Sequence, residues 1–169
     1  MTHHSNFLVA TVLTLALTGA LPRSHGAAAA SGVCGLVTRQ EAAAALGAPL
    51  PAGAEKTMDS PLQGGTMIKM QSCFYGSGVV VARYELGSGA QTLFGKYRQE
   101  FASQPVASDY QNVTGIGDEA FSAKGQLMIR KGQTGLLVGL SAGDRQNKRV
   151  AARQLEAEKT LAALALGRL

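Results

Sequence analysis

The chain has 169 residues, which is the length of one domain. Its 16 basic and 11 acidic residues give a net charge of +5, too weak and too dispersed to indicate a nucleic-acid-binding protein. Hydrophobic residues make up 46% of the chain and tryptophan is absent, so the core must be mainly aliphatic. The composition therefore indicates one globular domain with no nucleic-acid partner.

The N-terminal segment is typical of a secretory signal peptide. Residues 7–21 form an apolar run that is short for a bilayer span. Pro22 follows, and the small residues of 26–30 then offer Ala-x-Ala cleavage sites. Because no Lys or Arg precedes the run, a membrane anchor and a buried helix remain alternatives. We predict a signal peptide over 1–30, cleaved near Ala29 or Ala30, and one periplasmic or secreted domain over 31–169 without a transmembrane segment.

The chain has two cysteines, Cys34 and Cys73. In an oxidising compartment their simplest use is a disulfide. The alternative is a lipoprotein anchored at Cys34, but a lipobox has Leu three residues before the cysteine and a small residue directly before it. Ser31 and Val33 occupy those positions here, and lipidation would leave Cys73 without a partner. We therefore predict a Cys34–Cys73 disulfide.

The predicted elements begin with a short helix. Thr38 and Glu41 stand as N-cap and N3 of a capping box, and Gly47 follows Leu46 as a helix stop. A second helix, with Ser88 as its cap, carries Leu93, Phe94, Tyr97 and Phe101 at helical spacing. Residues 51–65 and 105–116 are predicted loops, and the last helix covers about 144–166. The predicted strands are Thr66–Tyr75, Val79–Leu86, Glu119–Ala123, Gln126–Lys131 and Gly135–Ser141.

This order, α-ββ-α-βββ-α, predicts an α+β fold with an antiparallel sheet of about five strands and helices packed on one face. Each half consists of strands followed by a helix, which leaves open a degenerate internal repeat. In the Gly115–Phe121 segment we expect Gly117 to adopt a positive φ in a tight turn that directs Ala120 and Phe121 into the core.

The positions of the histidines restrict the chemistry. His3, His4 and His25 all lie in the predicted signal peptide, so the mature chain would have none. This excludes Ser-His-Asp and Cys-His catalysis and histidine-ligated metals, and a disulfide removes thiolate chemistry. Asp118 and Glu119 would point to opposite faces if both enter a strand. We predict no catalytic residue, no cofactor and no metal.

The last predicted helix carries one unusual charge pattern. Arg145, Arg149 and Arg153 are spaced i, i+4 and i+8, with Lys148 beside them. Such a stripe suits contact with an anionic partner, either an envelope protein or an anionic envelope component. The alternative is an ordinary solvated face, partly neutralised by Asp144 and Glu156.

Three segments together resemble a group of small secreted and lipoprotein domains of unknown function in bacteria. They are Cys34-Gly-Leu-Val-Thr-Arg-Gln-Glu41-Ala, Cys73-Phe-Tyr75 and Val113-Thr-Gly-Ile-Gly117-Asp118-Glu119-Ala120-Phe121. That group shares a Cys-x-Leu-x-Thr-x-x-Glu-Ala opening, a Cys-x-Tyr strand and a Gly-x-Gly-Asp-Glu-Ala segment. The resemblance implies a compact α+β domain with paired cysteines and carries over no catalytic residue.

These observations favour a non-enzymatic binding or interaction module of the bacterial envelope. A carboxylate-based envelope hydrolase and a small-ligand carrier are the alternatives. Two carboxylates in a deep pocket would favour the hydrolase, a wide apolar cavity the carrier, and a flat exposed apolar or basic patch the binding module.

Export and the disulfide can be tested together. We expect the periplasmic or secreted form to begin near residue 30 and to be about two mass units lighter than its reduced form. Intact mass measurement before and after reduction checks both expectations. A full-length cytosolic chain with two unpaired thiols would contradict them.

Overall fold

A computed structural model of the chain describes residues 32–61, 67–103, 110–141 and 147–169. In these ranges three α-helices accompany one antiparallel sheet of seven strands, which confirms the predicted α+β class. In chain order the elements are α1 (Arg39–Leu46), β1 (Ala54–Pro61), β2 (Met67–Tyr75), β3 (Val79–Glu85), α2 (Ala90–Ala102), β4 (Gln111–Val113), β5 (Glu119–Ala123), β6 (Gln126–Lys131), β7 (Thr134–Leu140) and α3 (Lys148–Leu166).

The sheet consists of two meanders that meet in the middle. The strand order is β1-β2-β3-β7-β6-β5-β4, and every neighbouring pair is antiparallel. The last strand of each meander, β3 or β7, lies at the centre, where Val81 is opposite Val138. Both of these valines are fully buried, so the centre of the sheet is also the centre of the core.

Two strands lie where the sequence predicts loops. β1 occupies most of the predicted loop 51–65, and β4 lies within the predicted loop 105–116; residues 62–66 and 104–109 are outside the described residues. Both are edge strands with a single neighbour, and the side chains of residues 54–59 are exposed. An edge strand exposed in this way needs no apolar alternation and tolerates charge and proline. The loop predictions are therefore wrong at β1 and β4, because a sequence rich in Pro, Gly and polar residues can also form an edge strand.

The helices cover both faces of the sheet, so the expectation that they share one face is wrong. One core cluster joins α1 and α3 to side chains such as Val81 and Val138. The other joins α2 to side chains such as Ala82 and Leu137, the next residues along the same strands. Six of the seven residues of β7 are buried, which is the consecutive pattern of a strand covered on both sides.

The first helix begins and ends as its sequence predicts. Glu41 N donates to Thr38 Oγ1 at 3.3 Å, and Thr38 N donates to Glu41 Oε2 at 2.8 Å, which completes the capping box. Gly47 ends the helix with a φ of +74°. These local contacts explain why so short a helix has well-defined ends.

The other two helices begin differently from the predictions. A 3-10 turn over Gly87–Gly89 leads into α2, whose N-cap is Gly89, so Ser88 does not cap the helix. α3 begins at Lys148, and the Asn147 side chain accepts a hydrogen bond from Arg149 N at 3.0 Å. The predicted start near residue 144 falls in residues 142–146, which are outside the described residues.

The turn before β5 confirms the expectation for Gly117. Its φ is +63°, and a Cβ there would lie 2.4 Å from Ile129 Cγ2 and 2.6 Å from Arg130 O, so only glycine fits. Phe121 follows on β5 and is fully buried. Its ring lies 5.4–6.4 Å, between centroids, from four other aromatic rings, those of Phe94, Tyr97, Phe101 and Tyr110.

Truncating this ring should destabilise the domain strongly. We expect Phe121→Ala to lower the free energy of unfolding by about 3–5 kcal/mol, because the aromatic cluster around it cannot close the cavity. Met67, 57% exposed, is the control: Met67→Ala should change the free energy of unfolding by less than about 0.5 kcal/mol. Urea unfolding measures both free energies of unfolding. An equal loss in the two variants would contradict a core that contains Phe121.

Candidate functional site

The structure brings three of the four predicted stripe cations together at the start of α3. Lys148, Arg149 and Arg153 are exposed, and the two arginines lie one turn apart, about 6 Å along the helix axis. Arg145 lies outside the described residues. We call Lys148, Arg149 and Arg153 the basic face.

No carboxylate of the described residues pairs with the basic face. Five other cations do form ion pairs, at 2.7–3.9 Å: Arg83, Arg98, Arg130, Lys159 and Arg168. Glu156, one of the two acids expected to neutralise the stripe, binds Lys159 at 2.8 Å instead; the other, Asp144, is outside the described residues. The first turn of α3 also contains no acidic residue, although the positive end of the helix dipole lies there. Positive charge therefore accumulates at this end of the helix.

A cleft lies on the inner side of the same helix. It contains about 350 Å³ of empty space and opens to solvent. We call it the polar cleft, and its lining residues are Gln111, Ser122, Gly125, Ala151, Gln154, Leu155 and Glu158. Three of its polar side chains are almost fully buried: Glu158 is 1% exposed, Gln154 6% and Ser122 7%.

Hydrogen bonds in the polar cleft attach α3 to the end of β7. Glu158 Oε1 accepts from Leu140 N and from Gln154 Nε2, both at 3.2 Å. Gln154 Nε2 also donates to Leu140 O. The sequence analysis missed this pair. Its signal was a glutamine and a glutamate at i, i+4 spacing on the side of the helix that also carries Ala151 and Leu155.

Asp118 and Glu119 converge on one arginine. Asp118 Oδ2 lies 2.9 Å from Arg130 Nη1, and Glu119 Oε1 lies 2.9 Å from Arg130 Nη2. Strand alternation does not separate them, because Asp118 lies in the turn before β5, where its N donates to Arg130 O at 2.8 Å. Asp118 Oδ2 also accepts from Gly132 N at 2.8 Å. Both carboxylates therefore hold β6 and its turn in place.

A second cleft, mainly apolar, lies under α2. It contains about 340 Å³ of empty space, and its lining residues are Ile68, Tyr84, Leu86, Leu93, Phe94, Tyr97, Met128, Ile129, Gly135 and Leu136. Burial raises the pKa of the Tyr84 phenol and of the Tyr97 phenol. We call this the apolar cleft.

The ion pair between Glu41 and Arg168 joins α1 to the residues that follow α3. Arg168 Nη2 donates to Glu41 Oε1 at 2.7 Å, and Arg168 Nη1 donates to Glu41 Oε2 at 2.8 Å. The guanidinium, assisted by the hydrogen bonds from Thr38, lowers the pKa of Glu41 to about 2. The two ends of the described chain are thus held together by charge.

The described residues contain no group of three or more His, Cys, Asp or Glu side chains able to hold a metal ion. None of the described helices is both long and apolar enough to cross a membrane. Comparison with protein-family models, with curated proteins and with solved structures finds no match to this chain in any of the three. The functional argument therefore rests on the basic face and on the two clefts.

Acid titration should reveal the Glu41–Arg168 pair. The folded pKa of Glu41 is depressed, so its contribution is complete above about pH 4.5 and is lost as the pH falls towards about 2. Because the pair is partly exposed and screened by solvent, we expect this contribution to be on the order of 1 kcal/mol.

The measurement is the free energy of unfolding between pH 2 and pH 7. The free energy of unfolding of the wild type should exceed that of Glu41→Gln at neutral pH, and the two values should converge near pH 2. The control is Glu156→Gln, because the Glu156 side chain is 71% exposed. A constant difference between wild type and Glu41→Gln across the whole range would contradict the assignment.

Proposed function

We propose that this protein is an exported, non-enzymatic binding module that contacts an anionic protein or another anionic component of the bacterial envelope through the basic face. The observation that carries the proposal is the group of exposed cations at the start of α3, which no described carboxylate neutralises. Cations at a helix N-terminus are electrostatically unfavourable. An anion bound there would interact favourably with both the side chains and the helix end, and guanidinium groups match the paired oxygens of phosphate and carboxylate.

The disulfide supports the exported location. Cys34 and Cys73 are bonded, with their Cα atoms 5.0 Å apart, and bonds of this kind persist in oxidising compartments. The sulfur of Cys34 is therefore not available for a thioether to lipid. The signal peptide proposed over 1–30 lies outside the described residues.

A carboxylate hydrolase has less support from the described residues. The polar cleft contains one carboxylate, that of Glu158, whereas glycoside hydrolysis uses two facing carboxylic groups. The adjacent carboxylates of Asp118 and Glu119 are both paired with Arg130, which is only 13% exposed, and Glu119 also lies 3.7 Å from Arg98. We therefore favour binding over hydrolysis.

The second candidate function is a carrier of small apolar ligands, and the apolar cleft is the observation that favours it. A water-sized molecule can occupy only about 20 Å³ of this cleft, far less than the volume of a typical ligand site. Ligand sites usually add a few polar groups that orient the ligand, whereas this cleft is lined mainly by apolar side chains. The small accessible volume makes the carrier the weaker candidate.

Charge reversal on the basic face tests the binding proposal. We expect Arg149→Glu with Arg153→Glu to leave the melting temperature nearly unchanged, because both side chains are exposed. Retention on vesicles containing phosphatidylglycerol, or on isolated envelope fractions, should fall, and wild-type retention should weaken as salt increases.

The control is Lys69→Glu with Lys96→Glu. These two lysines are also exposed, form no ion pair among the described residues and lie away from α3, so the net charge changes equally. Equal retention of the two double variants at low salt would show that only net charge matters, and the proposal would then be wrong.

A further inference from the structure

The outer edge of β1 is the longest exposed strand edge in the part of the chain that the structure describes. β1 has eight residues, Ala54–Pro61, and pairs with β2 on one side only. β4, at the other end of the sheet, has three residues. The backbone amides and carbonyls along the outer side of an edge strand are a template for a further strand. The β1 edge therefore has room for a second strand of similar length.

Two charged side chains of β1 are engaged by the rest of the protein and do not protect this edge. Lys56 Nζ lies 5.6 Å from the centroid of the Phe74 ring on β2. Glu55 Oε1 accepts a hydrogen bond from Cys34 N at 2.9 Å. Edge strands are commonly protected by charged side chains that repel another strand, and these two are turned to other contacts. The outer side of β1 is therefore open to a partner strand.

Symmetry restricts how β1 pairs with β1 of a second copy. When a two-fold axis relates two antiparallel strands, one residue faces its own copy, and its neighbours face each other in turn. Like charges directly opposite each other are destabilising. Pairing centred on Glu55, Lys56 or Asp59 places that residue opposite its own charge, and pairing centred on Thr57 places Glu55 opposite Asp59. Pairing nearer either end of β1 leaves only a short overlap.

Pairing centred on Met58 avoids every one of these repulsions. It places Met58 opposite Met58 of the second copy, and it places Thr57 opposite Asp59 on both sides of the axis, so that a hydroxyl donor faces a carboxylate. The other charged residues of β1 face uncharged residues. Residues 55–61 of each strand then pair, and β1 is complementary to itself in this one register.

An exposed apolar side chain lies at the centre of this pairing. Met58 is 40% exposed, and Met70, its partner on β2, is half-buried on the same face of the sheet. In the paired strands the two copies of Met58 lie side by side, between the two copies of Met70. Unbranched methionine side chains adapt well to such contacts. The pairing thus buries apolar surface that the single chain leaves in water.

We infer that this chain forms a two-fold dimer by antiparallel pairing of β1 with β1 of a second copy, with Met58 opposite itself at the axis. The two seven-stranded sheets then become continuous. Because one strand pair is a small interface, we expect a reversible equilibrium that depends on protein concentration. The dimer does not depend on the function proposed for the basic face, since α3 packs on β6 and β7.

Sedimentation equilibrium of the mature, disulfide-bonded chain tests the inference. The average mass of the wild type should rise from one chain towards two as the protein concentration increases. Met58→Glu should raise the dissociation constant about tenfold or more, because it brings two carboxylates together at the axis. Gln99→Glu, an equal charge change at an exposed position of α2, should dimerise as the wild type does. An unchanged melting temperature shows that each variant remains folded.

A wild type that stays monomeric up to about 1 mM would overturn the inference, and so would equal dimerisation of wild type and Met58→Glu. The Arg149→Glu, Arg153→Glu variant should dimerise as the wild type does, so either proposal can fail without the other.

Cysteine cross-linking tests the register. Met58→Cys should form a disulfide between two chains under mild oxidation, because this residue faces its own copy. Lys56→Cys should not, because its own copy lies four residues away along the paired strand, about 13 Å at roughly 3.3 Å per residue. Intact mass under non-reducing conditions measures both. Equal cross-linking of the two variants would contradict pairing centred on Met58.

Discussion

The Cys34–Cys73 disulfide joins the segment before α1 to β2, and the two ends of the domain are assembled around it. Cys34 N donates to Glu55 Oε1 at 2.9 Å, and the Tyr75 hydroxyl donates to the carbonyls of Cys34 and Val37. These contacts hold the capped start of α1, which in turn offers Glu41 to Arg168 beyond α3. In the chain-entropy description, closing a loop of this length stabilises by about 4 kcal/mol. One covalent bond therefore lies at the start of the contacts that connect β2, α1 and the residue beyond α3.

Local signals predicted the parts of the fold that local contacts determine. The capping box of α1 and the bounds of β5 and β6 were predictable, because neighbouring residues decide them. The exposed strand β1 was not predictable, because its backbone pairs with β2 while its side chains remain in water. The buried state of Glu158 was equally hidden, since it depends on Leu140, eighteen residues earlier, being placed beside α3. The clefts, and with them the sites, depend on such distant contacts.

The arrangement of the helices argues against a symmetric internal repeat. β1–β3 followed by α2, and β4–β7 followed by α3, meet at the antiparallel pair β3–β7. A two-fold axis relating the two halves would pass through that pair perpendicular to the sheet, and it would leave both helices on the same face. The two helices lie on opposite faces instead. The halves thus share an order of elements but not a common symmetry, and each helix buries a different set of side chains.

The cations at the start of α3, Arg149 and Arg153, and the buried carboxylate of Glu158 lie on different sides of the helix. The helix is about 10–12 Å across. At that distance exposed charges are largely screened by salt, so the arginines contribute little to the buried carboxylate. A buried polar pair gives no clear advantage in stability over apolar residues of similar size. The hydrogen bonds of Gln154 and Glu158 with Leu140 instead fix α3 against the end of β7, in the orientation that the proposed contact of Arg149 and Arg153 with an anion requires.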